Sequence, residues 1–434
     1  MNRRQLLSLA ATGIVQSAFG KFSSGNDRTF TTSSNAGIDS FPPVRTITQG
    51  PKHHWFGYYD KLQFDPTNRL VLSNQVDFEH RTPRPDDVIQ VGMVDTANGD
   101  RWIELGESRS WGWQQGCMLQ WLPGSVEEII WNDRQGDRFV SHVLNVKSRK
   151  KRTLDSPVYT VASNGKFALS ADFARIQVMR PGYGYVGIRD INQTDVAPKD
   201  SGIFKVDLQS GKSELILSLA DVAKIPYRGK QLTNVKHYFN HLLVSPDSKR
   251  FIGLHRWRKY DASKDQTTGG FITRMITANV DGSDVFVLDP SGYTSHFIWR
   301  DPNHVCMWTK PDGKKSAFYL FKDKTREVEI VGPNVMKLNG HNTYLPIGNQ
   351  NWILNDTYPD KNRNQKPYLF HVPSGKRFPL GEFMLPRQYK GEWRCDTHPR
   401  SSNDGRTICI DSPHTGSGRQ LHLIDTSAIL DAVS

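Results

Sequence analysis

Four histidines recur at nearly the same point of a repeated sequence unit, each beside the first strand of its copy. They are His241, His296, His341 and His398, and Asp396 lies two residues before the last of them. Side chains at positions i and i+2 of a strand point to the same face, and imidazole with carboxylate forms a ligand set for manganese, iron or zinc. The pattern therefore predicts a divalent-metal site. A histidine that only hydrogen-bonds between strands is the alternative for each member.

The repeat that carries these histidines has a period of roughly 40 to 60 residues, typical of propeller blades with insertions. Each copy has a strand ending in a turn, an apolar strand, a strand ending in Asp or a similar residue before Gly, and a final apolar strand. We predict an all-β fold, a seven-bladed β-propeller of four-stranded blades, whose first strands bring the histidines together at a central channel. A two-domain β-sandwich does not require the same order of turns seven times. The copies begin near His54, Gln115, Val158, His241, His296, His341 and His398.

The start of the chain predicts export. Arg3 and Arg4 precede an apolar run to Phe19 that is shorter than the ~20 residues of a membrane span. Residues 1–20 are therefore interpreted as a twin-arginine export signal, residues 21–45 as a disordered leader and residues 46–434 as one propeller domain. We expect a periplasmic or secreted protein with no transmembrane segment after signal removal. A basic start to a cytoplasmic protein is the alternative, and the oligomeric state stays open.

Composition and charge agree with this interpretation. The chain of 434 residues has 11 Trp, 14 Tyr and 21 Phe with 35 Gly and 24 Pro, which favours short strands and tight turns over long helices. Its four cysteines lack the CxxC spacing of a zinc knuckle, so we expect mostly buried thiols. The formal charge of +12 favours an anionic partner. For an exported protein, that partner is an acidic oligosaccharide or polysaccharide rather than nucleic acid.

The second half of the chain contains four segments with a recognisable pattern. They are Arg274-Met275 through Asn279-Val280-Asp281-Gly282-Ser283, then Thr294-Ser295-His296-Phe297-Ile298-Trp299, Gly340-His341 and Asp396-Thr397-His398-Pro399. Through them, residues 254–427 resemble the oligogalacturonate lyase family. These lyases are seven-bladed propellers that cleave acidic pectin fragments by β-elimination with a divalent cation, usually manganese. The resemblance implies a uronate-containing substrate and a metal-assisted lyase activity.

The resemblance also implies which residues hold the ion. In the family, one ligand is a histidine of the segment matching His296, and a glutamine and two histidines come from the segment matching Trp393 to His398. His296 and His398 match as metal ligands, Asp396 replaces a histidine, and the glutamine has no counterpart. Arg394 lies beside the site and can clamp a substrate carboxylate.

Cleavage of a uronate chain by elimination needs three tasks. The C6 carboxylate must be neutralised, a base must remove the C5 proton, and the leaving oxygen at C4 must be stabilised or protonated. His241 is the first candidate base, because imidazole titrates near neutral pH. The resemblance implies an arginine base from the fourth blade, where Arg256 lies, and Tyr185 or Tyr183 is the next candidate for base or acid. The residues expected to bind substrate are Arg180, Tyr183, Arg258, Arg394 and His341.

Other functions remain open for the same site. A propeller that binds a glycan or a protein without catalysis would use the histidines structurally, and a metal-dependent glycan hydrolase would use the same ligands to activate water. The opening of the first blade, from His54 to Asp60, is expected mainly to pack the blade, with sugar stacking as the second reading. The recurring pairs Asn132-Asp133 and Asn355-Asp356 are interpreted as structural turn residues.

Overall fold

Short apolar strands alternate with turn residues throughout residues 41–433, the part of the chain that the computed structural model describes. Gly165 and Gly405 show why the turns are so tight. Each follows a polar residue between the first and second strands of a blade and adopts a positive φ, of 67° and 69°, which glycine tolerates without steric cost. The turns fold each strand back on its predecessor, so the sheets are antiparallel.

The chain fills the first three blades in sequence order, after an initial strand β1, Val44–Thr46. Blade 1 contains β2 His53–Trp55, β3 Leu70–Val76, β4 Ile89–Asp95 and β5 Arg101–Ser108. Blade 2 contains β6 Gln120–Trp121, β7 Glu128–Gln135, β8 Arg138–Asn145 and β9 Lys151–Leu154. Blade 3 contains β10 Thr160–Val161, β11 Phe167–Ala171, α1 Phe173–Met179, β12 Gly202–Asp207 and β13 Ser213–Ser218, and α2 Leu219–Ala223 follows it.

The last four blades continue in the same order. Blade 4 contains β14 Val235–Val244, β15 Arg250–Asp261, β16 Gln266–Asn279 and β17 Phe286–Gly292. Blade 5 contains β18 Phe297–Asp301, β19 His304–Thr309, β20 Ala317–Lys322 and β21 Val328–Ile330. The next stretch contains β22 Thr343–Tyr344, β23 Trp352–Asn355, β24 Asn364–Gln365, β25 Tyr368–His371, β26 Lys376–Pro379 and β27 Phe383–Met384. Blade 7 contains β28 Arg400–Ser401, β29 Thr407–Ser412 and β30 Gln420–Asp425.

Blade 6 consists of β22, β23, β25 and β26, while β24 and β27 form a separate two-stranded sheet. The remaining short elements are the 3₁₀ turns Gly348–Gln350 and Gly391–Trp393 and the terminal helix α3, Ser427–Asp431. The described residues thus form seven four-stranded sheets. The predicted seven-bladed propeller and the order of its blades are confirmed.

Strand β1, near the start of the described residues, pairs with the last blade. It pairs antiparallel with β30, with Val44 opposite Ile424 and Thr46 opposite His422, and supplies the fourth strand of blade 7. The predicted leader, residues 21–45, therefore extends two residues too far, because β1 already begins at Val44. Residues from Val44 onward are ordered as a strand, because blade 7 lacks a fourth strand of its own. The predicted export signal, residues 1–20, lies outside the described residues.

Apolar faces between neighbouring blades form the core. Between blades 1 and 2, for example, a cluster of tryptophans packs with the aliphatic residues of both sheets, and similar clusters lie between the other blades. The four cysteines are free and buried, as predicted. Among residues 41–433, no helix has the length and apolarity needed to cross a membrane.

An insertion in blade 3 carries part of the site described below. Helix α1 begins after Asp172, whose side chain accepts a hydrogen bond from the backbone N–H of Arg175. The guanidinium of Arg175 is fully buried and donates to the carbonyl of His237 at 2.7 Å and to the carboxylate of Asp190 at 3.2 Å. These bonds fasten the insertion to blade 4, and they fix the position of Arg180 at the end of α1.

Candidate metal and anion site

Tyr59 lies among the four histidines that the repeat placed in register. Its ring centre is 5.6, 5.9, 5.3 and 6.4 Å from the ring centres of His241, His296, His341 and His398. Each histidine lies within or directly before the innermost strand of its blade, so the predicted convergence of the imidazoles is confirmed. Two of the four, His241 and His398, have positive φ values of 50° and 38°. Such conformations are rare in residues other than glycine and concentrate at functional sites.

Three of the side chains could hold a metal ion together. Ligand atoms of His341, Asp396 and His398 all lie within 4.8 Å of one another, and all three residues are buried. The Nδ1 of His341 is occupied by Asp356, at 2.9 Å, which leaves Nε2 as its ligand atom. His341, predicted to bind substrate, is one of the three residues that could hold an ion; we call His341, Asp396 and His398 the metal-ligand group.

His296 was predicted as a metal ligand but lies outside the group of three. Its Nδ1 is 3.0 Å from Oδ1 of Asn339, and its Nε2 is 3.4 Å from the hydroxyl of Tyr358. Its ring packs against that of His341, with 4.2 Å between the ring centres. Both ring nitrogens of His296 thus have protein partners, and its role as a metal ligand stays a prediction.

Asp396 and His398 each keep one atom without a partner. Arg394 Nε donates to Oδ2 of Asp396 at 2.7 Å, whereas Oδ1 of Asp396 and Nε2 of His398 are buried with no hydrogen-bond partner in residues 41–433. Burial, followed by the positive charges of His341 and Arg400, holds the pKa of His398 well below its ordinary value. A neutral imidazole and a carboxylate oxygen that both lack a proton donor fit a divalent cation.

Asp356 orients His341 and was not recognised from sequence. It is fully buried and accepts hydrogen bonds from the backbone N–H of His341 at 2.7 Å and from the hydroxyl of Thr397 at 2.5 Å. Burial alone would lower the pKa of His341, but the Asp356 carboxylate outweighs it and raises the pKa. A carboxylate behind a metal-binding histidine fixes the ring and increases its basicity. The recurring Asn-Asp pair is the sequence feature that could have identified Asp356, although its position favours a structural turn.

His241 is paired with a second carboxylate that sequence analysis had assigned mainly to packing. Its Nε2 is 3.1 Å from Oδ2 of Asp60, and Lys61 donates to the other oxygen of that carboxylate at 2.8 Å. Burial lowers the pKa of His241 to about 4 despite this contact. Burial would raise the pKa of Asp60, but Lys61 and His241 hold it below its ordinary value. A neutral imidazole oriented by a carboxylate has the arrangement of a general base.

Tyr183 lies between two arginines. Arg394 Nη2 donates to its hydroxyl at 2.7 Å, and the guanidinium carbon of Arg180 is 4.1 Å from its ring centre. Burial alone would raise the pKa of Tyr183, but the charges of Arg180 and Arg394 lower it to about 7. The structure brings Tyr183, Arg180 and Arg394 together, and all three were predicted to bind substrate.

Arg256 lies next to this group on β15. Its side chain is 5% exposed, and its guanidinium carbon is 4.6 Å from the ring centre of Phe271, which also contacts Arg180. Burial, and then the charge of Arg180, lowers the pKa of Arg256 to about 10. Arg258, predicted to bind substrate, instead donates its guanidinium hydrogens to the carbonyls of Gly269 and Met179.

Tyr185, a predicted catalytic acid or base, is packed in the core. Its ring stacks on Phe173 with 4.2 Å between ring centres, and its hydroxyl accepts a hydrogen bond from Asn132 at 2.9 Å. The residue is 1% exposed and belongs to a core cluster formed mainly by blades 3 and 4. Packing and the bond to Asn132 account for Tyr185, and none of its contacts is with the histidines.

Comparison with known proteins shows which solved structures share this fold. No protein-family model matches the chain, and no curated protein matches it significantly. Among solved structures, an oligogalacturonate lyase from Vibrio parahaemolyticus matches with a TM-score of 0.63 and 13% identity, covering 92% of this chain and 96% of that one. An oligogalacturonate lyase in complex with manganese matches with a TM-score of 0.64 and 15% identity over the same shares. This chain has the oligogalacturonate lyase fold.

Other solved structures match this chain as well. The tricorn protease matches with a TM-score of 0.50 and 12% identity, covering 88% of this chain but only 35% of the protease. The two lyases, in contrast, are matched over nearly their whole length. The lyase fold agrees with the resemblance carried by residues 254–427, and at these identities the likeness concerns the fold.

Proposed function

We propose that this protein is a metal-assisted polysaccharide lyase that cleaves a uronate-containing oligosaccharide by β-elimination. The observation that carries the proposal is the pair of buried acceptor atoms without partners, Oδ1 of Asp396 and Nε2 of His398, beside His341. In the lyase fold, one solved relative is a manganese complex. His341, Asp396 and His398 would hold a divalent ion, manganese first and iron or zinc as alternatives. When bound, the ion would stabilise negative charge that develops on a substrate carboxylate.

The protein's own side chains supply the remaining tasks of the elimination. His241, oriented by Asp60, accepts the proton from C5 at Nδ1, and the electrons of that C–H bond form the double bond between C4 and C5. The C4–O bond breaks, and the leaving oxygen takes a proton from Tyr183. Arg394 holds the hydroxyl of Tyr183 at 2.7 Å and stabilises the phenolate that remains. Water returns both groups to their starting protonation states.

The lowered pKa of Tyr183 is consistent with its role, whereas burial places the pKa of His241 below the near-neutral value expected from the sequence. His241, with a pKa lowered to about 4 by burial, is neutral at neutral pH and has a free lone pair. Tyr183, with a pKa lowered to about 7 by Arg180 and Arg394 against the effect of burial, exchanges a proton in the physiological range. General catalysis is most efficient when the pKa of the group lies near the working pH, and this favours Tyr183 as a proton donor and acceptor.

Two measurements on the purified protein test the function. Elemental analysis gives its metal content, and a panel of oligogalacturonates, other uronate glycans and neutral glycans is monitored for the ultraviolet absorbance of an unsaturated uronate product. We expect bound metal and rising absorbance with at least one uronate glycan. New reducing ends without that absorbance would instead identify a metal-dependent hydrolase. Absence of both metal and cleavage across the panel would leave a glycan-binding or protein-binding propeller.

We also propose that the protein works in the periplasm or outside the cell after twin-arginine export, because Arg3 and Arg4 precede a short apolar run. The test is cell fractionation of the full-length protein beside a variant in which both arginines are replaced by lysine. We expect the wild type in the exported fraction and the variant in the cytoplasm. Equal distribution of the two proteins would contradict export by this route.

A further inference from the structure

Arg256 presents hydrogen-bond donors that have no partner in the protein. Nε and Nη1 of Arg256 are both buried without a hydrogen bond in the described part of the chain, and so is the hydroxyl of Tyr238. Tyr238 lies directly opposite Arg256 in the pairing of β14 with β15, so the two side chains emerge on the same face of the sheet. Buried polar groups without a partner are rare in folded proteins, and three donors in one place point to an acceptor that binds there.

Arg180 brings a fourth donor to the same place. Its Nη1 is buried without a partner within residues 41–433, and its guanidinium carbon is 4.7 Å from the ring centre of Phe271, the ring that also contacts Arg256 at 4.6 Å. Among the described residues, neither arginine forms a salt bridge within 4.0 Å. Tyr183 offsets part of the charge of Arg180, but Arg256 is repelled by Arg180, and an anion bound between the two guanidiniums would offset that repulsion.

The atoms without partners divide into two chemical kinds. At blade 7 they are acceptors, Oδ1 of Asp396 and Nε2 of His398, whereas at blades 3 and 4 they are the donors of Arg180, Arg256 and Tyr238. A cation suits the first set and an anion the second. Tyr183 links the two sets, because its ring contacts Arg180 and its hydroxyl accepts a bond from Arg394, which in turn holds Asp396. The two sets are therefore connected through Tyr183 and Arg394.

We propose that Arg180 and Arg256 form a carboxylate subsite, which binds the acidic group of a second uronate unit beside the one held at the metal-ligand group. This inference rests on the proposed function for the nature of the substrate. The guanidinium of Arg256 can bind a carboxylate through two parallel N–H bonds, and Tyr238 can donate a third. Phe271, 42% exposed, offers an apolar face on which the sugar ring can lie. The subsite would select chains with acidic groups on neighbouring sugars.

Calorimetry on metal-depleted protein tests the subsite without requiring turnover. The probes are sodium galacturonate and galactose, which share the sugar but differ in the carboxylate, and sodium acetate, which carries the carboxylate alone. We expect galacturonate to bind and galactose to bind at least about tenfold more weakly, because galactose lacks the charged group that the arginines would hydrogen-bond. Acetate should also bind more weakly than galacturonate, because it lacks the sugar ring that would lie on Phe271. Equal binding of galactose or acetate would overturn the assignment to a uronate.

Variants locate the binding. Arg256→Gln and Arg180→Gln are each expected to weaken galacturonate binding about tenfold or more, and the double variant to abolish it. The matched control is Arg326→Gln, because Arg326 also lies over a phenylalanine, Phe286, and donates to a backbone carbonyl on the outer part of blades 4 and 5. Unchanged binding in the double variant would overturn the proposal. The lyase proposal has a separate readout, because loss of product absorbance with galacturonate binding intact would refute only the chemistry.

Thermal stability distinguishes a ligand-binding arginine from a structural one. Because Arg256 is buried with donors that no protein group satisfies, Arg256→Met should leave the melting temperature of the ligand-free protein unchanged or higher while removing galacturonate binding. A structural arginine would show the reverse, with a lower melting temperature and unchanged binding. That result would overturn the proposal even if the variant remained folded.

Discussion

Arg394 and Asp396 form a salt bridge inside the site, with Nε of the arginine 2.7 Å from Oδ2 of the aspartate. The bridge engages one carboxylate oxygen and leaves the other, Oδ1, buried without a partner in the described residues. Arg394, which the sequence predicts to lie beside the site, therefore does not occupy the candidate metal site. It orients the aspartate and reaches Tyr183 with its other end.

The ligand set predicts the metal content of variants. Asp396→Asn and His398→Gln should each lower affinity for manganese at least about tenfold, because each removes one of three ligands. The measurement is titration of the metal-depleted protein with manganese, followed by calorimetry. His296→Gln serves as the comparison, since both of its ring nitrogens have protein partners, and we expect a smaller loss. A His398→Gln protein with wild-type affinity would contradict the metal-ligand group.

The carboxylate behind His341 predicts a second effect on metal binding. Asp356→Asn keeps an acceptor for the backbone N–H of His341 but removes the charge that raises the pKa of the ring. We expect metal affinity to fall by about 10- to 100-fold. Thr397→Val is the control, because it removes only the hydroxyl bond to the same carboxylate. An equal loss in both variants would mean that the packing of Asp356, rather than its charge on His341, is important.

The pair formed by His241 and Asp60 predicts a loss of turnover without loss of metal. His241→Gln should reduce kcat about 100-fold or more, the usual contribution of a general base, with unchanged manganese content. His142→Gln is the matched control, because His142 is also buried and its Nε2 is 3.2 Å from an aspartate, Asp133, but in blade 2 away from the site. If His241→Gln retains the wild-type kcat, His241 is not the base. Tyr183→Phe is then the next variant to measure.

Buried histidines predict how the free energy of unfolding falls at acidic pH. Burial lowers the pKa of His54 from 6.5 to about 4, so the unfolded chain binds a proton between these values that the folded protein does not. The stabilisation is fully present above pH 6.5 and is lost as pH falls toward 4, with about 3 kcal/mol for a shift of this size. His54→Gln keeps partners for Gln75 and Gln420 and should show a flatter fall of unfolding free energy with pH. His371→Gln, at a partly exposed histidine, is the control. If the unfolding free energy of His54→Gln falls with pH as steeply as that of the wild type, the prediction is wrong.

Closure of the propeller by β1 predicts the effect of truncation. A protein that starts at residue 47 lacks β1 and leaves β30 with an open edge, whereas one that starts at residue 41 keeps the pairing of Val44 with Ile424. We expect the shorter protein to melt several degrees lower by calorimetry. Arg45→Ala, which removes the salt bridge to Asp100, should have a smaller effect in the same direction. Equal melting temperatures for the two truncations would show that β1 does not stabilise the ring.

The sequence alone determined the fold and the meeting point of the histidines. Turn glycines such as Gly165 and Gly405 act locally, and a repeat of strands and turns fixes the number of blades before any long-range contact is known. Once the blades are equivalent, residues at the start of their first strands must face the same channel. His241, His296, His341 and His398 could therefore be grouped from spacing.

Only the tertiary structure decided which groups work together within that meeting point. Asp60 is 181 residues from His241 in sequence, and Tyr183 is 211 residues from Arg394, so no local pattern pairs them. His341, Asp396 and His398 are grouped because their ligand atoms lie within 4.8 Å of one another, a distance that spacing in the sequence does not give. These contacts depend on rotamers and hydrogen-bond partners that neighbouring blades impose after packing. The amino-acid sequence alone does not specify them.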